Sequence, residues 1–173
     1  MISKDISLFD NTEDYLPILT AILIVDVIGI ILSYSNIISS QFLRLWYIRF
    51  QLSAVLADVL IILIVFIIAR YIYYYIFDEY SILNFIILML ILQITHDILF
   101  YLMITSIKKG SNKMIDVFKD YADEMSYYAI IGDSIMIIAS VILASYLANL
   151  DSNTIIIILI VFLYLLQFIL YNY

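Results

Sequence analysis

The chain has 173 residues, of which 66% are hydrophobic and 13% are charged, and its mean hydropathy is +1.11. Soluble domains are only about half apolar, so this composition argues against a soluble globular protein and indicates a polytopic membrane protein. The formal net charge of −7 argues against nucleic-acid binding, which needs a basic surface. The lack of cysteine excludes disulfides, thiol nucleophiles, iron–sulfur clusters and cysteine-based zinc sites.

The N-terminal segment, MISKDISLFDNTEDY, is acidic and has no basic region of the kind that starts a signal peptide. We therefore interpret residues 1–15 as an acidic tail and residues 16–173 as one transmembrane domain. A spanning helix needs about 20 mostly apolar residues, and the long apolar runs lack the alternation of membrane β-strands. The sequence predicts an all-α integral membrane protein built as a bundle of five transmembrane helices. The predicted spans are residues 16–34, 54–77, 82–106, 128–148 and 154–171.

An amphipathic stretch, residues 112–127, separates the third and fourth predicted spans. Met114, Phe118, Tyr121 and Met125 recur at helical spacing, and charged residues cover the other faces. We predict a cytoplasmic amphipathic helix that lies at the membrane interface and leads into the fourth span.

Lysine and arginine residues set the predicted orientation, because basic residues concentrate in cytoplasmic loops. They cluster between the first and second spans and between the third and fourth, and these two connections lie on the same side of any five-span chain. The sequence therefore predicts an outside or lumenal N-terminus and a cytoplasmic C-terminus. Trp46 and Tyr47, in the first connection, are expected at the headgroup level. The basic residues concerned are Arg44, Arg49, Lys108, Lys109, Lys113 and Lys119.

Several polar side chains fall inside the predicted spans, where charges are costly and therefore mark candidate functional sites. Asp26 and Arg70 lie roughly 15 and 10 Å from the outer surface at about 1.5 Å of rise per residue. We therefore expect them to form a buried ion pair. The remaining polar residues lie in the cytoplasmic half or near the midplane, and they are Asp58, Gln93, His96, Asp97 and Asp133.

Helical spacing predicts that this second group faces the interior of the bundle. On the third span, His96 and Asp97 lie three and four residues after Gln93, so the three side chains share one face. On the fourth span, Asp133 lies on a stripe of small residues, which let helices approach closely. Together with Asp58, such a cluster would share protons and titrate as a unit. The sequence thus predicts an ion or proton site made of His96, Asp97, Asp133, Asp58 and Gln93.

Three interpretations of this cluster remain open at the level of sequence. The cluster is a proton or cation site used for permeation or coupled transport, a structural network that fixes helix packing, or a catalytic or metal site. A wet cavity open to the cytoplasm would favour transport, whereas dry and fully paired side chains would favour a structural role.

Enzyme activity has little support in the sequence. A single histidine cannot supply a three-histidine zinc site. The His96–Asp97 dipeptide lacks the additional histidines of metal phosphohydrolases, and Gly132–Asp133 lacks the Tyr–Asp partner motif of intramembrane aspartyl proteases. We expect no enzyme and no cofactor, and the presence of a metal stays open.

The favoured function is that of a small polytopic membrane protein which binds or conducts protons or cations; a structural membrane protein is the alternative. Asp97 and Asp133 would be the carboxylate sites, His96 the proton carrier near neutral pH, and Asp58 a supporting charge. The expected partners are the lipid bilayer and protons or small cations. At 20.2 kDa, a wider pore would need several copies, so we also expect homo-oligomers.

Two segments, ITHDILFY at residues 94–101 and FKDYADEMSYYAIIGDS at residues 118–134, resemble uncharacterised polytopic membrane proteins of large nucleocytoplasmic DNA viruses. The abundance of Ile, Tyr and Asn also fits an A+T-rich coding genome. The resemblance implies a virus-encoded protein of a host membrane or an internal virion membrane, and it implies no known activity. The residues that it singles out for testing are Gln93, His96, Asp97, Asp120, Glu124 and Asp133.

Overall fold

The computed structural model describes residues 4–171. Within this range the secondary structure consists of helices joined by turns and loops, and no strand occurs. Five helices are long and apolar enough to cross a membrane. Their bounds lie within two residues of the predicted spans. These long helices are α1 Tyr15–Tyr34, α3 Leu52–Ile76, α4 Ile82–Ser106, α6 Tyr127–Leu147 and α7 Ser152–Leu170; the two short ones are α2 Gln41–Phe50 and α5 Lys113–Met125.

Polar caps determine where several of these helices begin. The Ser40 hydroxyl accepts a 3.0 Å hydrogen bond from the Leu43 amide at the start of α2. Asn112 Oδ1 accepts from the Met114 amide at 2.8 Å in α5, and Asp151 Oδ1 accepts from the Thr154 amide at 3.0 Å in α7. Such side chains satisfy amides that have no partner inside the helix. The caps therefore divide a largely apolar chain into separate helices.

Four long helices form a ring. α1 packs on α3 and α6, and α4 packs on the same two helices, while α7 lies outside the ring against α1. The interior between them is apolar over much of its length. Fully buried side chains of this core include Ile22, Phe66, Phe85, Met89 and Ile137. Apolar residues also cover the outer surface of α4 and α7, for example Ile91 and Ile157. A helix that is apolar on every side is typical of a membrane span.

The short helices α2 and α5 pack against each other at one end of the ring, which we name the short-helix end. The rings of Trp46 and Phe118 lie 4.4 Å apart between them. Glu124 of α5 accepts hydrogen bonds from the Ser40 hydroxyl at 2.5 Å and from the Gln41 amide at 2.9 Å. A side chain from α5 thus caps the start of α2. Helix α2 was not expected from the sequence, which predicted only the helix at residues 112–127.

Residues 4–14 fold over the opposite end, which we name the tail end. The Lys4 amide donates a 3.2 Å hydrogen bond to the Ser145 carbonyl, and the Ser145 hydroxyl donates to the Lys4 carbonyl at 2.6 Å. Ile6 and Ser7 are fully buried. The part of the predicted acidic tail that the structure describes is therefore packed onto the ring.

Arg70 belongs to this tail end. Its Nη2 lies 3.6 Å from Asp14 Oδ2 and donates hydrogen bonds to the Leu8 and Asn11 carbonyls. The guanidinium also lies 4.4 Å from the centre of the Tyr15 ring. Asp14 and Arg70 are both fully buried, so the tail supplies the counter-charge that the α3 arginine needs.

The structure thus replaces the predicted Asp26–Arg70 ion pair with Asp14–Arg70. Asp26 lies eight residues before the end of α1, about 12 Å from the short-helix end, whereas Arg70 lies six residues before the end of α3, near the tail end. Because α1 and α3 are antiparallel, Asp26 is level with the beginning of α3 and not with Arg70.

Candidate functional site

Each of the four ring helices places one aspartate at a similar level. These residues lie six to nine positions from the ends of their helices at the short-helix end, about 9–14 Å along the axes. Electrostatic interactions link Asp26 to Asp58, and Asp133 to both Asp58 and Asp97. The structure therefore brings together the predicted site residues on α3, α4 and α6, and it adds Asp26 from α1. We name Asp26, Asp58, Asp97 and Asp133 the acid cluster.

Helix α4 contributes a connected set of side chains, because its residues share one face. Gln93 Nε2 donates to Asp97 Oδ1 at 2.7 Å, and His96 Nδ1 lies 3.2 Å from the same oxygen. The His96 ring stacks on Phe100, whose ring meets Phe118 of α5. The side chains of His96 and Asp97 are 33% and 15% exposed. This side of the acid cluster therefore borders the short-helix end and is its more accessible part.

Helix α2 supplies two hydrogen-bond donors to the cluster. Trp46 Nε1 donates to Asp58 Oδ2 at 3.0 Å, and the Tyr47 hydroxyl donates to Asp26 Oδ1 at 3.4 Å. Burial, followed by the nearby Asp26 and Asp58 carboxylates, raises the pKa of the Tyr47 phenol. Tyr47 therefore stays neutral and keeps its proton for donation.

Trp46 and Tyr47, which are expected at the headgroup level, are almost fully buried, so their rings pack inside the protein. Helix α2 packs against the short-helix end of the ring, and its Trp46 and Tyr47 side chains are buried there. The available signal was that a buried indole or phenol needs a polar partner. The spans beside this segment carry two carboxylates, Asp26 and Asp58, that could provide one.

A second phenol reaches the cluster from α5. Burial, followed by the carboxylates of Asp133 and Asp58, raises the pKa of Tyr121. Sequence reasoning placed Tyr121 on the apolar face of the amphipathic helix and assigned it no role at the site. Tyr47 and Tyr121 together make the short-helix side of the cluster a surface of neutral hydroxyl groups.

Three oxygen atoms of the site have no hydrogen-bond donor among residues 4–171: Asp26 Oδ2, Gln93 Oε1 and Asp97 Oδ2. All three are acceptors. Buried polar atoms are nearly always hydrogen-bonded, so an unmet acceptor calls for a hydrogen-bond donor, such as an ordered water or a bound proton, or for a cation. Within the same residues, no group of three or more histidine or acidic side chains is close enough to hold a metal ion. The arrangement suits a proton, a hydrated proton or a loosely held cation.

The charge balance of the acid cluster also favours bound protons or cations. The acid cluster contains four carboxyl groups, and the histidine beside them can offset at most one charge. The nearest arginine on a ring helix, Arg70, is engaged with Asp14 at the other end. An uncompensated carboxylate in a low-dielectric interior costs several kcal/mol. Bound protons or cations can remove that cost.

The fold and this site define an all-helical protein with five helices long and apolar enough to span a membrane and an acidic cluster inside a ring of four of them. Comparisons of the chain with protein-family models, curated proteins and solved structures found no match.

Proposed function

We propose that this protein is integral to a membrane and that its acid cluster binds and exchanges protons or small cations. The observation that carries the proposal is the set of buried acceptors without donors, Asp26 Oδ2, Gln93 Oε1 and Asp97 Oδ2, inside a cluster of four carboxyl groups. Intramembrane ionisable groups of this kind commonly mark ion and proton pathways.

The proposed membrane placement follows the distribution of charge. The five long helices insert in the bilayer, and the short-helix end faces the cytoplasm because the connections that contain α2 and α5 hold six lysine and arginine residues. The amphipathic helices α2 and α5 lie at that interface. The tail end, and with it the N-terminus, is outside or lumenal, and the C-terminus is cytoplasmic.

Each residue of the site has a proposed role. His96, whose side chain is partly exposed, receives a proton from the short-helix side. Asp97 accepts it across the 3.2 Å contact with His96. Asp133, which interacts electrostatically with Asp97, is the next acceptor. Gln93 fixes the orientation of the Asp97 carboxylate through its 2.7 Å hydrogen bond, and Asp58 supplies the supporting charge.

The core beyond the cluster closes this site on the side of the tail end. Towards the tail end the interior is filled by Phe66, Phe85, Met89 and Ile137, all fully buried. The rings of Phe66 and Phe85 lie 6.0 Å apart. Protons therefore enter and leave from the short-helix side in this conformation. Passage across the membrane requires these four apolar side chains to rearrange. This supports coupled or gated exchange more than an open pore.

Proton flux into liposomes tests the proposal. Purified protein is reconstituted with a pH-sensitive dye inside the vesicles, and flux under a pH gradient is compared for wild type, Asp97→Asn and Asp133→Asn. Both substitutions are expected to abolish most of the flux. Asp151→Asn is the matched control, because this exposed carboxylate only caps α7 and asparagine caps equally well. Equal flux in all four proteins, each verified as folded by circular dichroism, would exclude transport.

A structural role is the second candidate, and the hydrogen bonds from Trp46 to Asp58 and from Tyr47 to Asp26 favour it. These bonds attach α2 to two ring helices and can fix their packing. In that case wild-type vesicles show no flux, and the aspartate variants lose thermal stability. The measurements above distinguish the two functions.

The kind of membrane is a proposal from sequence resemblance. Residues 94–101 and 118–134 support a host or internal virion membrane of a large DNA virus. Detection of the protein by mass spectrometry in purified virions, resistant to removal by alkaline carbonate, would support a virion membrane; recovery only in infected-cell membranes would support a host membrane.

A further inference from the structure

The ring is built from two units with the same order of helices. Each unit has a long helix, a short helix and a second long helix: α1–α2–α3 and α4–α5–α6. The packing agrees with a twofold relation between them. In this relation α1 corresponds to α4, α2 to α5 and α3 to α6. Each contact within or between the units then has an equivalent: α1–α6 matches α4–α3, α1–α3 matches α4–α6, α1–α2 matches α4–α5, and α2–α3 matches α5–α6. The equivalent helices α2 and α5 contact each other. Internal repeats around a central site are common in transport proteins.

The residues that join each short helix to its following long helix show the same relation. Gln51 has φ 46° and ψ −121°, and Ser126 has φ 50° and ψ −129°. Asp58 and Asp133 both lie seven residues after these junctions. Two aromatic residues, Trp46 and Tyr121, both lie five residues before them. The two units therefore place an acid and an aromatic residue with a polar N–H or O–H group in equivalent positions.

From this relation and the contacts of Asp26, we infer that Asp26 and Asp58 form a second proton-binding site, the first unit's counterpart of Asp97 and Asp133, with the proton held on Asp26. The inference deepens the proposed function, which assigned Asp58 only a supporting charge. Asp26 is fully buried, and its Oδ2 has no partner among residues 4–171. A proton on Oδ2 turns this unmet acceptor into a donor that can serve Asp58.

Within residues 4–171, the titratable groups that face Asp26 come from two neighbouring helices. The titratable groups that face it are the Tyr47 phenol from α2 and the Asp58 carboxylate from α3. Asp133 of α6 also interacts electrostatically with Tyr47. Helix α7, which also packs on α1, contains no charged residue. Asp58 is partly exposed and accepts from the Trp46 indole, so it is the better placed of the two acids to remain ionised.

The two sites differ in access. In the first unit, Asp26 is fully buried beneath the Tyr47 side chain of α2. In the second unit, the side chains of Asp97 and the neighbouring His96 are 15% and 33% exposed. The Asp26 proton is therefore expected to exchange with solvent more slowly than protons at Asp97 and Asp133.

Infrared spectroscopy of the full chain in lipid nanodiscs, with carbon-13-labelled aspartate, tests this inference. At neutral pH, wild type is expected to show a protonated-carboxyl band that shifts slowly after transfer to deuterated water. Asp26→Asn should abolish this slow band. Asp58→Asn should retain it at a changed frequency, and Asp151→Asn should leave it unchanged. A slow band that persists unaltered in Asp26→Asn, or that is missing from wild type, would overturn the inference.

A second variant covers the case in which Asp26→Asn does not fold. Tyr47→Phe removes the hydroxyl that donates to Asp26 Oδ1 and that also interacts with Asp58, so the slow band should shift in frequency and exchange faster. An unchanged band in Tyr47→Phe would contradict the assignment. The experiments distinguish failure of the two proposals. A slow Asp26 band without flux in liposomes would exclude proton transport but support the second proton-binding site. Flux without that band would exclude the second site and leave the transport proposal standing.

Discussion

The indole nitrogen of Trp46 donates a 3.0 Å hydrogen bond to Oδ2 of Asp58, across the boundary between a short helix and the ring. This bond joins residues twelve positions apart and ties α2 to the acid cluster. The acids of this protein are therefore connected both to one another and to the helices that cover the short-helix end.

Trp46→Phe should weaken the fold while preserving the aromatic contact with Phe118. The substitution removes the donor and leaves Asp58 Oδ2 unsatisfied, which costs about 1–3 kcal/mol for a charged acceptor. Thermal unfolding in detergent micelles measures the loss. A double-mutant cycle with Asp58→Asn isolates the pair, and a coupling energy below about 0.5 kcal/mol would mean that the bond does not stabilise the fold.

Glu124 should make the attachment of α2 dependent on pH. Desolvation alone would raise its pKa, but hydrogen bonds from the Ser40 hydroxyl and from the Gln41 and Phe42 amides hold the pKa of this carboxyl below its usual value. The resulting stabilisation is fully present above the ordinary glutamate pKa of about 4.3 and is lost as the pH falls through the lower folded-state pKa.

Glu124→Gln should therefore lower stability at neutral pH by about 0.5–2 kcal/mol, the range for loss of a helix cap, and the difference from wild type should vanish in acid. Unfolding midpoints measured from pH 7 down to pH 3 provide the comparison. Asp123→Asn, at the neighbouring exposed position, is the control. A difference that stays constant over this pH range would show that the Glu124 charge does not hold α2.

Removing the Arg70 guanidinium should release the N-terminal segment. Arg70→Met leaves Lys4 as the one counter-charge of Asp14 among residues 4–171 and removes the donors to the Leu8 and Asn11 carbonyls. Breaking a buried ion pair from one side costs about 3–5 kcal/mol. Limited proteolysis should then cut within residues 4–14, and thermal stability should fall.

Two variants control the Arg70 experiment. Arg49→Met removes an arginine whose guanidinium lies 5.6 Å from the Phe50 ring centre at the short-helix end, and it should leave the tail protected. Asp26→Asn should also leave the tail protected, since Asp26 contacts Tyr47 and not Arg70. If Asp26→Asn were as sensitive to protease as Arg70→Met, the result would support an Asp26–Arg70 ion pair instead of the Asp14–Arg70 pair.

Glycine at the two helix junctions should stabilise the protein. Gln51 and Ser126 combine a positive φ with a strongly negative ψ, a sparsely populated conformation that costs a residue with a Cβ about 1–3 kcal/mol, whereas glycine adopts it readily. After subtraction of the extra chain entropy of glycine, Gln51→Gly and Ser126→Gly should each gain about 1 kcal/mol. Gln51→Ala keeps the Cβ and should show no such gain. Equal unfolding temperatures for Gln51→Gly and Gln51→Ala would contradict the strain at this junction.

Apolar run length was sufficient to predict the long helices, because a helix of about 20 apolar residues has few alternatives. The contact of His96 and Gln93 with Asp97 was also predictable, since helical spacing alone places them on one face. Helix α5 followed from its amphipathic pattern.

Other contacts depended on tertiary folding that local patterns do not determine. Helix α2 is only ten residues long, and its direction under the ring decides whether Trp46 and Tyr47 meet lipid headgroups or carboxylates. Arg70 pairs with Asp14, because the N-terminal segment folds over the ring. The depth of a residue along its helix cannot indicate this fold. The two-unit repeat was hidden for a related reason: its junctions share backbone angles and spacing, while the residue types at Gln51 and Ser126 differ.

The clasp of residues 4–14 over the tail end also imposes an order on assembly. This segment leaves the ribosome before either of its anchors, Arg70 and Ser145, and the Lys4–Ser145 contact spans 141 positions of sequence. The contact cannot form until translation has passed the sixth helix. The Lys4 part of this segment is thus made well before α6 but reaches its final place only after α6 has been made, whereas the Asp14–Arg70 pair can form as soon as α3 is present.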